Sequence, residues 1–196
     1  MNRPDDRINI PLWLTFTRIF AIPLVVILYF LPFHWGHPTA AIIFLFIALT
    51  DWLDGYLARN LSQTTKLGAF LDPVADKLLV SVVLIMIVGM RQLPYLVLPA
   101  VVIVGREIVV SALREWMAEL GKRASVAVNY LGKVKTVLQM AALVLLLWYH
   151  PNTWYWIKIV GELLLYIAAI LTLWSMFIYL RLAWPDLKAN RSIQDD

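Results

Sequence analysis

Apolar residues run along this chain in six long blocks separated by short polar breaks. The blocks fall at about Ile10 to Leu31, Pro38 to Ala58, Gly68 to Met90, Leu93 to Leu113, Val134 to Tyr149 and Trp156 to Leu180. Most approach the roughly 20 residues an α-helix needs to cross a hydrocarbon layer about 30 Å thick. The breaks read FHWGHP (Phe33 to Pro38), RNLSQTTK (Arg59 to Lys66), RQLP (Arg91 to Pro94), REWMAELGKRAS (Arg114 to Ser125) and HPNTW (His150 to Trp154). Trp13, Trp35, Trp52, Trp148, Trp154, Trp156 and Trp184 fall near block ends, where amphipathic rings favour a membrane–water boundary. The pattern predicts an all-α, polytopic membrane protein with six transmembrane helices. A single membrane domain is expected over residues 1–196, with short polar tails at 1–9 and 181–196. No repeat or low-complexity tract interrupts it.

Composition agrees with that class. Hydrophobic residues make up 61% of the chain, 15% are charged, and the mean hydropathy is +0.74, far from the profile of a soluble domain. The spans consume most of the 196 residues, so no large soluble domain is expected. Without cysteine, neither a disulfide framework nor a thiolate metal site can form. The opening MNRPDDRINI is polar and doubly acidic, unlike a cleavable signal peptide.

Charge sets the expected orientation. Lysine and arginine concentrate in the amino-terminal tail, the second and fourth connections and the carboxy-terminal tail, with Arg3, Arg7, Arg59, Lys66, Lys122, Arg123, Lys188 and Arg191 among them. The other three connections hold Arg91, with Lys158 just inside the last block. The positive-inside rule therefore puts both termini in the cytoplasm. The net charge of +4 suits anionic lipids or phosphorylated small molecules. Membrane lipids are the expected surroundings, and no nucleic-acid partner is expected.

The chemistry is concentrated between Asp51 and Asp76, in DWLDGYLARNLSQTTKLGAFLDPVAD. A carboxylate near the bilayer centre costs about 3 kcal/mol on insertion scales, so four of them need partners. They also repel one another, and a single arginine cannot neutralise them. A divalent cation relieves such a cluster best, because Mg²⁺ and Mn²⁺ are hard ions that prefer oxygen ligands. On a helix Asp51 and Asp54 lie roughly 60° apart, and Gly55 and Ala58 continue their stripe. On the next helix Gly68, Asp72 and Asp76 fall at i, i+4 and i+8. Two such stripes can face each other across a pocket at the cytoplasmic end of the second and third spans. Their small residues leave room for a bulky group, although ordinary helix packing would use them too. Asp72 before Pro73 also has the look of a helix start. Ion carriers bury acids as well, but here the acids sit at one end of two spans, and no inverted repeat or pair of broken helices is evident.

A second constellation is basic: Arg106, Arg114, Lys133 and Lys135, with Arg18 able to join from the first span. Adjacent helical residues point in different directions, which argues that Arg106 meets a ligand phosphate rather than its neighbour Glu107. Lys66, Lys122 and Arg123 read as surface charge towards anionic headgroups. Lys77 receives no role, and Glu162 in the last block has no partner legible in the sequence. His34, His37 and His150 lie in outward connections without metal-ligand spacing.

Asp51, Asp54, Gly55, Ala58, Arg59, Gly68, Asp72 and Asp76, with the spacing they have here, match the signature of the CDP-alcohol phosphotransferase family. INIPLWLTFTR (Ile8 to Arg18), GREIVVSALREWMAELGK (Gly105 to Lys122) and GKVKT (Gly132 to Thr136) extend the resemblance over most of the chain. The resemblance implies a reaction in which a hydroxyl displaces CMP from a CDP-linked alcohol. It implies two divalent ions, Mg²⁺ or Mn²⁺, with Asp51 and Asp72 bridging and Asp54 and Asp76 completing one site each. Asp76 is then also the general base. Asn9, Thr17, Gly55, Ala58, Arg59 and Gly68 would bind the donor, CDP-diacylglycerol. Arg18, Arg106, Arg114, Lys133 and Lys135 would bind the acceptor, sn-glycerol 3-phosphate, a dianion. The signature does not choose the acceptor, since cardiolipin, serine and inositol phospholipid synthases are similar in it. The basic set and the GREI segment favour glycerol 3-phosphate by resemblance. A homodimer in the bacterial cytoplasmic membrane, with its site facing inward, is implied as well.

Overall fold

The computed structural model describes residues 10–61, 66–89, 94–119 and 130–194, and among them every regular element is helical. The helices are α1 (Ile10–Phe30), α2 (Gly36–Leu61), α3 (Lys66–Gly89), α4 (Val97–Glu119), α5 (Tyr130–Trp148) and α6 (Tyr155–Gln194). A 3₁₀ turn, Pro94–Leu96, leads into α4. Each apolar block has become one helix. Two stretches, Pro94–Met117 and Tyr155–Arg181, are long and apolar enough to cross a membrane by length and composition. The apolar parts of α1 and α2 are shorter, Thr15–Phe30 and Gly36–Thr50.

α1, α3 and α5 end within one residue of the expected block ends, whereas α2, α4 and α6 run beyond theirs. α2 runs to Leu61 and α3 starts at Lys66, so both ends of the expected break at Arg59 to Lys66 are helical. α4 continues through Arg114 to Glu119, and α6 continues past Leu180 to Gln194, into the expected polar tail. The reason is that polarity marks where an apolar surrounding would end, not where backbone bonding ends. Leu, Ala, Arg, Glu and Met, which dominate these extensions, are good helix formers.

α6 lies along α5, α1 packs on α2 and α3, α2 on α5, and α4 on α6. α4 and α5 are not packed on each other to any comparable degree. The core is a column of aliphatic side chains with Val25, Phe44, Leu84, Ile87, Ile103, Leu143, Leu146 and Leu165 fully buried. Outward faces are equally apolar: Phe46, Ile85, Val101, Ile108, Ile170 and Phe177 are all exposed. Such a surface suits lipid, where close packing rather than burial of apolar area holds helices together. Gly161 shows the consequence, since a Cβ there would stand 2.9 Å from Leu146 Cγ on α5. Gly36 is tighter still, with its would-be Cβ 2.6 Å from the Leu28 backbone oxygen of α1.

The first and fifth connections and the turn before α4 gather at one end. His37 and His150 stack edge-on with ring centroids 5.2 Å apart. Lys158 lies 5.8 Å from the Tyr95 and Tyr149 rings and 5.4 Å from that of Tyr155. Glu162 finds its partners here: the Tyr95 hydroxyl donates to it, and Lys158 stands 3.9 Å away, one turn earlier. Trp35, Trp154 and Trp156 are exposed at this same end, as a boundary belt would have them.

Candidate active site

The acidic stripes occupy the last part of α2 and the first part of α3. Asp51, Asp54, Gly55, Ala58 and Arg59 are all helical before α2 ends, and Gly68, Asp72 and Asp76 are all helical on α3. Because α3 begins at Lys66 and carries Pro73 in its interior, Asp72 is not a helix start. That removes capping as the reason for its presence. The side chains of Asp51, Asp54, Ala58, Arg59, Asp72 and Arg114, the surroundings of Gly55 and Gly68, and the whole of Asn9 lie outside the described residues.

Asp76 is described. Its carboxylate accepts a hydrogen bond from Arg18 Nη1 of α1 at 2.6 Å. The arginine side chain is 5% exposed and the carboxylate 41%, so a buried cation meets an acid that still reaches solvent. A buried guanidinium needs such a partner, and the pair fixes α1 against α3 at this point. Thr17, its neighbour, faces outward on α1.

Lys77 turns the other way. Its ammonium donates to the Ser111 hydroxyl on α4, and that hydroxyl donates to the Glu107 backbone carbonyl one turn earlier. The two consecutive residues of α3 thus tie the acidic stripe to α1 on one side and to α4 on the other. Through this link the basic constellation lies beside the acidic one.

In the basic constellation Glu107 is central, contrary to the expectation from helix geometry. Arg106 Nη1 donates to Glu107 Oε1 at 2.8 Å, although the two are adjacent in sequence. Their backbones do diverge, but both side chains are long enough to curl back to a common point. Lys135 Nζ of α5 reaches the same oxygen at 3.1 Å. Arg106 is also fastened to α6, its Nη2 donating to Ser175 Oγ at 3.4 Å. Its Nε has no acceptor among the described residues. Lys133 is exposed, and its helix turns it away from the buried face that carries Lys135.

Gln139 is a residue the sequence reading passed over. It sits one turn beyond Lys135 on α5, is 5% exposed, and its Oε1 has no hydrogen-bond partner among the described residues. A polar side chain at i+4 from a buried lysine, inside an apolar helix, was the available signal. Lys135 and Gln139 form a buried polar stripe aimed at the bundle interior.

Two cavities lie elsewhere. One, of about 560 Å³, is lined by Tyr29, His34, His37 and His150 and the first connection, at the end opposite the acidic stripes. The other, of about 550 Å³, is a wholly apolar cleft between α3 and α4 around Ile85, Val101 and Gly105. Among the described residues no group of three or more acidic or imidazole side chains is placed to hold a metal ion.

Comparison with known proteins is decisive for the family. The model of the CDP-alcohol phosphatidyltransferase family matches residues 8–174. A CDP-diacylglycerol–glycerol-3-phosphate 3-phosphatidyltransferase of Yersinia enterocolitica is 52% identical over 181 residues, covering 92% of this chain and 98% of that protein. The protein of the same description from Yersinia pestis is equally similar, at 52% over 181 residues. Its counterpart in Salmonella choleraesuis is 51% identical over 179 residues, covering 91% of this chain and 97% of its own.

Proposed function

The chain belongs to the CDP-alcohol phosphatidyltransferase family, and from that premise we propose that it transfers the phosphatidyl group of CDP-diacylglycerol to sn-glycerol 3-phosphate. The products are phosphatidylglycerol phosphate and CMP. The observation that carries this reading is 52% identity over nearly the full length of proteins bearing that activity in their description.

The chemistry of the acidic stripes fits hard divalent cations, since aspartates at helical spacing supply only oxygen donors. Asp51, Asp54, Asp72 and Asp76 would hold two ions, Mg²⁺ or Mn²⁺. When bound, such ions offset the charge of the pyrophosphate and of the departing CMP. The chain's own residues do the rest. Asp76 accepts the proton of the acceptor's free primary hydroxyl. That oxygen attacks the phosphatidyl phosphorus, a new P–O bond forms, and the P–O bond to CMP breaks with its electron pair leaving on CMP. Arg18 holds the Asp76 carboxylate in place through its 2.6 Å hydrogen bond. Arg59 would meet the nucleotide phosphates, Gly55, Ala58 and Gly68 would let the nucleotide approach the helices, and Asn9 and Thr17 would stand at its edge. Arg106 and Lys135, supported by Arg114, seat the acceptor's phosphate, whereas the exposed Lys133 stands away from that seat.

Six helices spanning the cytoplasmic membrane, both termini inside, and a homodimer complete the proposal. Gathering of the first and fifth connections and the turn before α4 at one end supports that topology.

CMP release by detergent-purified protein supplied with CDP-diacylglycerol and a panel of acceptors tests the reading. Glycerol 3-phosphate is expected to support rapid release, with serine, inositol and phosphatidylglycerol near background. Faster release with another acceptor would reassign the enzyme within its family. Release without any sealed compartment also separates catalysis from transport.

A further inference from the structure

We infer that Glu107 is a positioning residue, whose carboxylate sets Arg106 and Lys135 side by side as one seat for the acceptor's phosphate. The inference rests on the reading above, in which those two cations bind that phosphate.

Both cations donate to the same oxygen, Glu107 Oε1, Arg106 at 2.8 Å and Lys135 at 3.1 Å. Their charged nitrogens are therefore held within two hydrogen bonds of each other. Two bare cations at that separation inside an apolar bundle would repel and swing apart. One carboxylate between them cancels half of the charge and leaves a net single positive charge, which still attracts an anion. Exposure rises across the cluster, from 3% for Lys135 through 16% for Arg106 to 26% for Glu107. The cluster is accordingly open on one side and closed behind Lys135.

The helices themselves do not supply this alignment. α4 and α5 touch each other far less than each touches α6. The Lys135–Glu107 pair spans the space between them, so the relative position of the two cations depends on the carboxylate. Glu107 is itself steadied, because its backbone carbonyl accepts from Ser111, which in turn accepts from Lys77 beside Asp76. Arg106 Nε–H, buried, has no acceptor among the described residues and adds a donor to the same cluster. Lys77, next to Asp76 in sequence, thereby links the seat to the helix that carries the proposed base.

The test compares wild type, Glu107→Gln, Lys135→Ala and the double variant, with glycerol 3-phosphate and CDP-diacylglycerol varied separately. Lys135→Ala is expected to raise the acceptor KM about 10- to 100-fold. Glu107→Gln keeps the shape and loses the charge, and is expected to raise the acceptor KM about 10-fold with the donor KM almost unchanged. In the Lys135→Ala background the same change should add less than about 3-fold, because Glu107 acts through that lysine. Glu107→Asp should restore part of the lost acceptor affinity. A purely structural carboxylate would instead lower stability and move both KM values together, without coupling to Lys135. If Lys135→Ala raises the acceptor KM and Glu107→Gln leaves it unchanged or lowers it, the positioning role is overturned while the acceptor pocket stands. If Lys135→Ala itself leaves that KM unchanged, the acceptor pocket is wrong and the positioning role falls with it. Should Glu107→Gln not survive purification, Glu107→Asp decides alone: a selective several-fold rise in acceptor KM supports the inference, and no rise overturns it.

Discussion

Arg18 on α1 and Asp76 on α3 stand 58 residues apart in sequence and 2.6 Å apart in space. The arginine is buried and the aspartate is not, so the pair holds a carboxylate that still reaches solvent. This geometry separates two roles for Arg18, one as a ligand of the acceptor and one as the partner of Asp76, the proposed base.

Replacing Arg18 with Gln removes a charge-assisted hydrogen bond worth about 1.5–3 kcal/mol. The expected outcome is a kcat about 10- to 100-fold lower with the acceptor KM changed less than about 3-fold. Asp76→Asn should lower kcat further, by about 10²- to 10⁴-fold, since a general base acts mainly in the transition state. Steady-state kinetics with each substrate varied would separate these effects. A large acceptor-KM effect in Arg18→Gln would return that arginine to the phosphate seat.

Chelation should abolish CMP release, and added Mg²⁺ or Mn²⁺ should restore it. Asp51→Asn should be inactive at any metal concentration while its melting temperature stays close to wild type. Turnover in excess chelator at a near-normal rate would refute the metal assignment of the four aspartates.

At the far end, Tyr95 and Glu162 tie the turn before α4 to α6, with Lys158 beside them. Tyr95→Phe deletes one hydrogen bond, costing about 1 kcal/mol. In a chain of this size that corresponds to a melting temperature about 2–4 °C lower. Both KM values should remain unchanged, because the contact lies away from the chemistry. Thermal denaturation of purified protein followed by tryptophan fluorescence reads the first, and kinetics the second.

Gly36→Leu tests the close approach of α2 to α1. A Cβ alone would stand 2.6 Å from the Leu28 backbone oxygen, which cannot rotate away as a side chain can. Overpacking of this kind costs about 1–3 kcal/mol. Gly105→Ala is the control, since its Cβ would meet nothing within 4 Å. Equal melting temperatures for the two variants would contradict the proposed packing.

The chain has no cysteine, so topology can be read from single introduced thiols. Ser62→Cys, between α2 and α3, should be shielded from a membrane-impermeant maleimide in intact cells and labelled after permeabilisation. Thr153→Cys, between α5 and α6, should be labelled in intact cells. The reverse pattern would invert the orientation argued from lysine and arginine.

Six apolar blocks became six helices because hydropathy and helix length are local properties, written in consecutive residues. The acidic stripe was legible for the same reason: DxxDG and the later GxxxDxxxD are spaced for one helical face. Helix ends were not legible, since α2, α4 and α6 continue through polar sequence whose backbone bonds need no apolar surrounding. Partnerships between distant residues were not legible either. Glu162 had no visible partner until the fold brought Tyr95 against α6, and Lys77 had no role until α3 met α4 at Ser111. Glu107 was dismissed as a neighbour of Arg106 by a rule about adjacent backbones, but side-chain length and the approach of Lys135 from α5 made it the centre of the cluster. Sequence thus determined the family to which the chain belongs and the helices that carry its charged residues. Tertiary packing decided which charges meet, because a long flexible side chain is committed only when another helix offers it a partner.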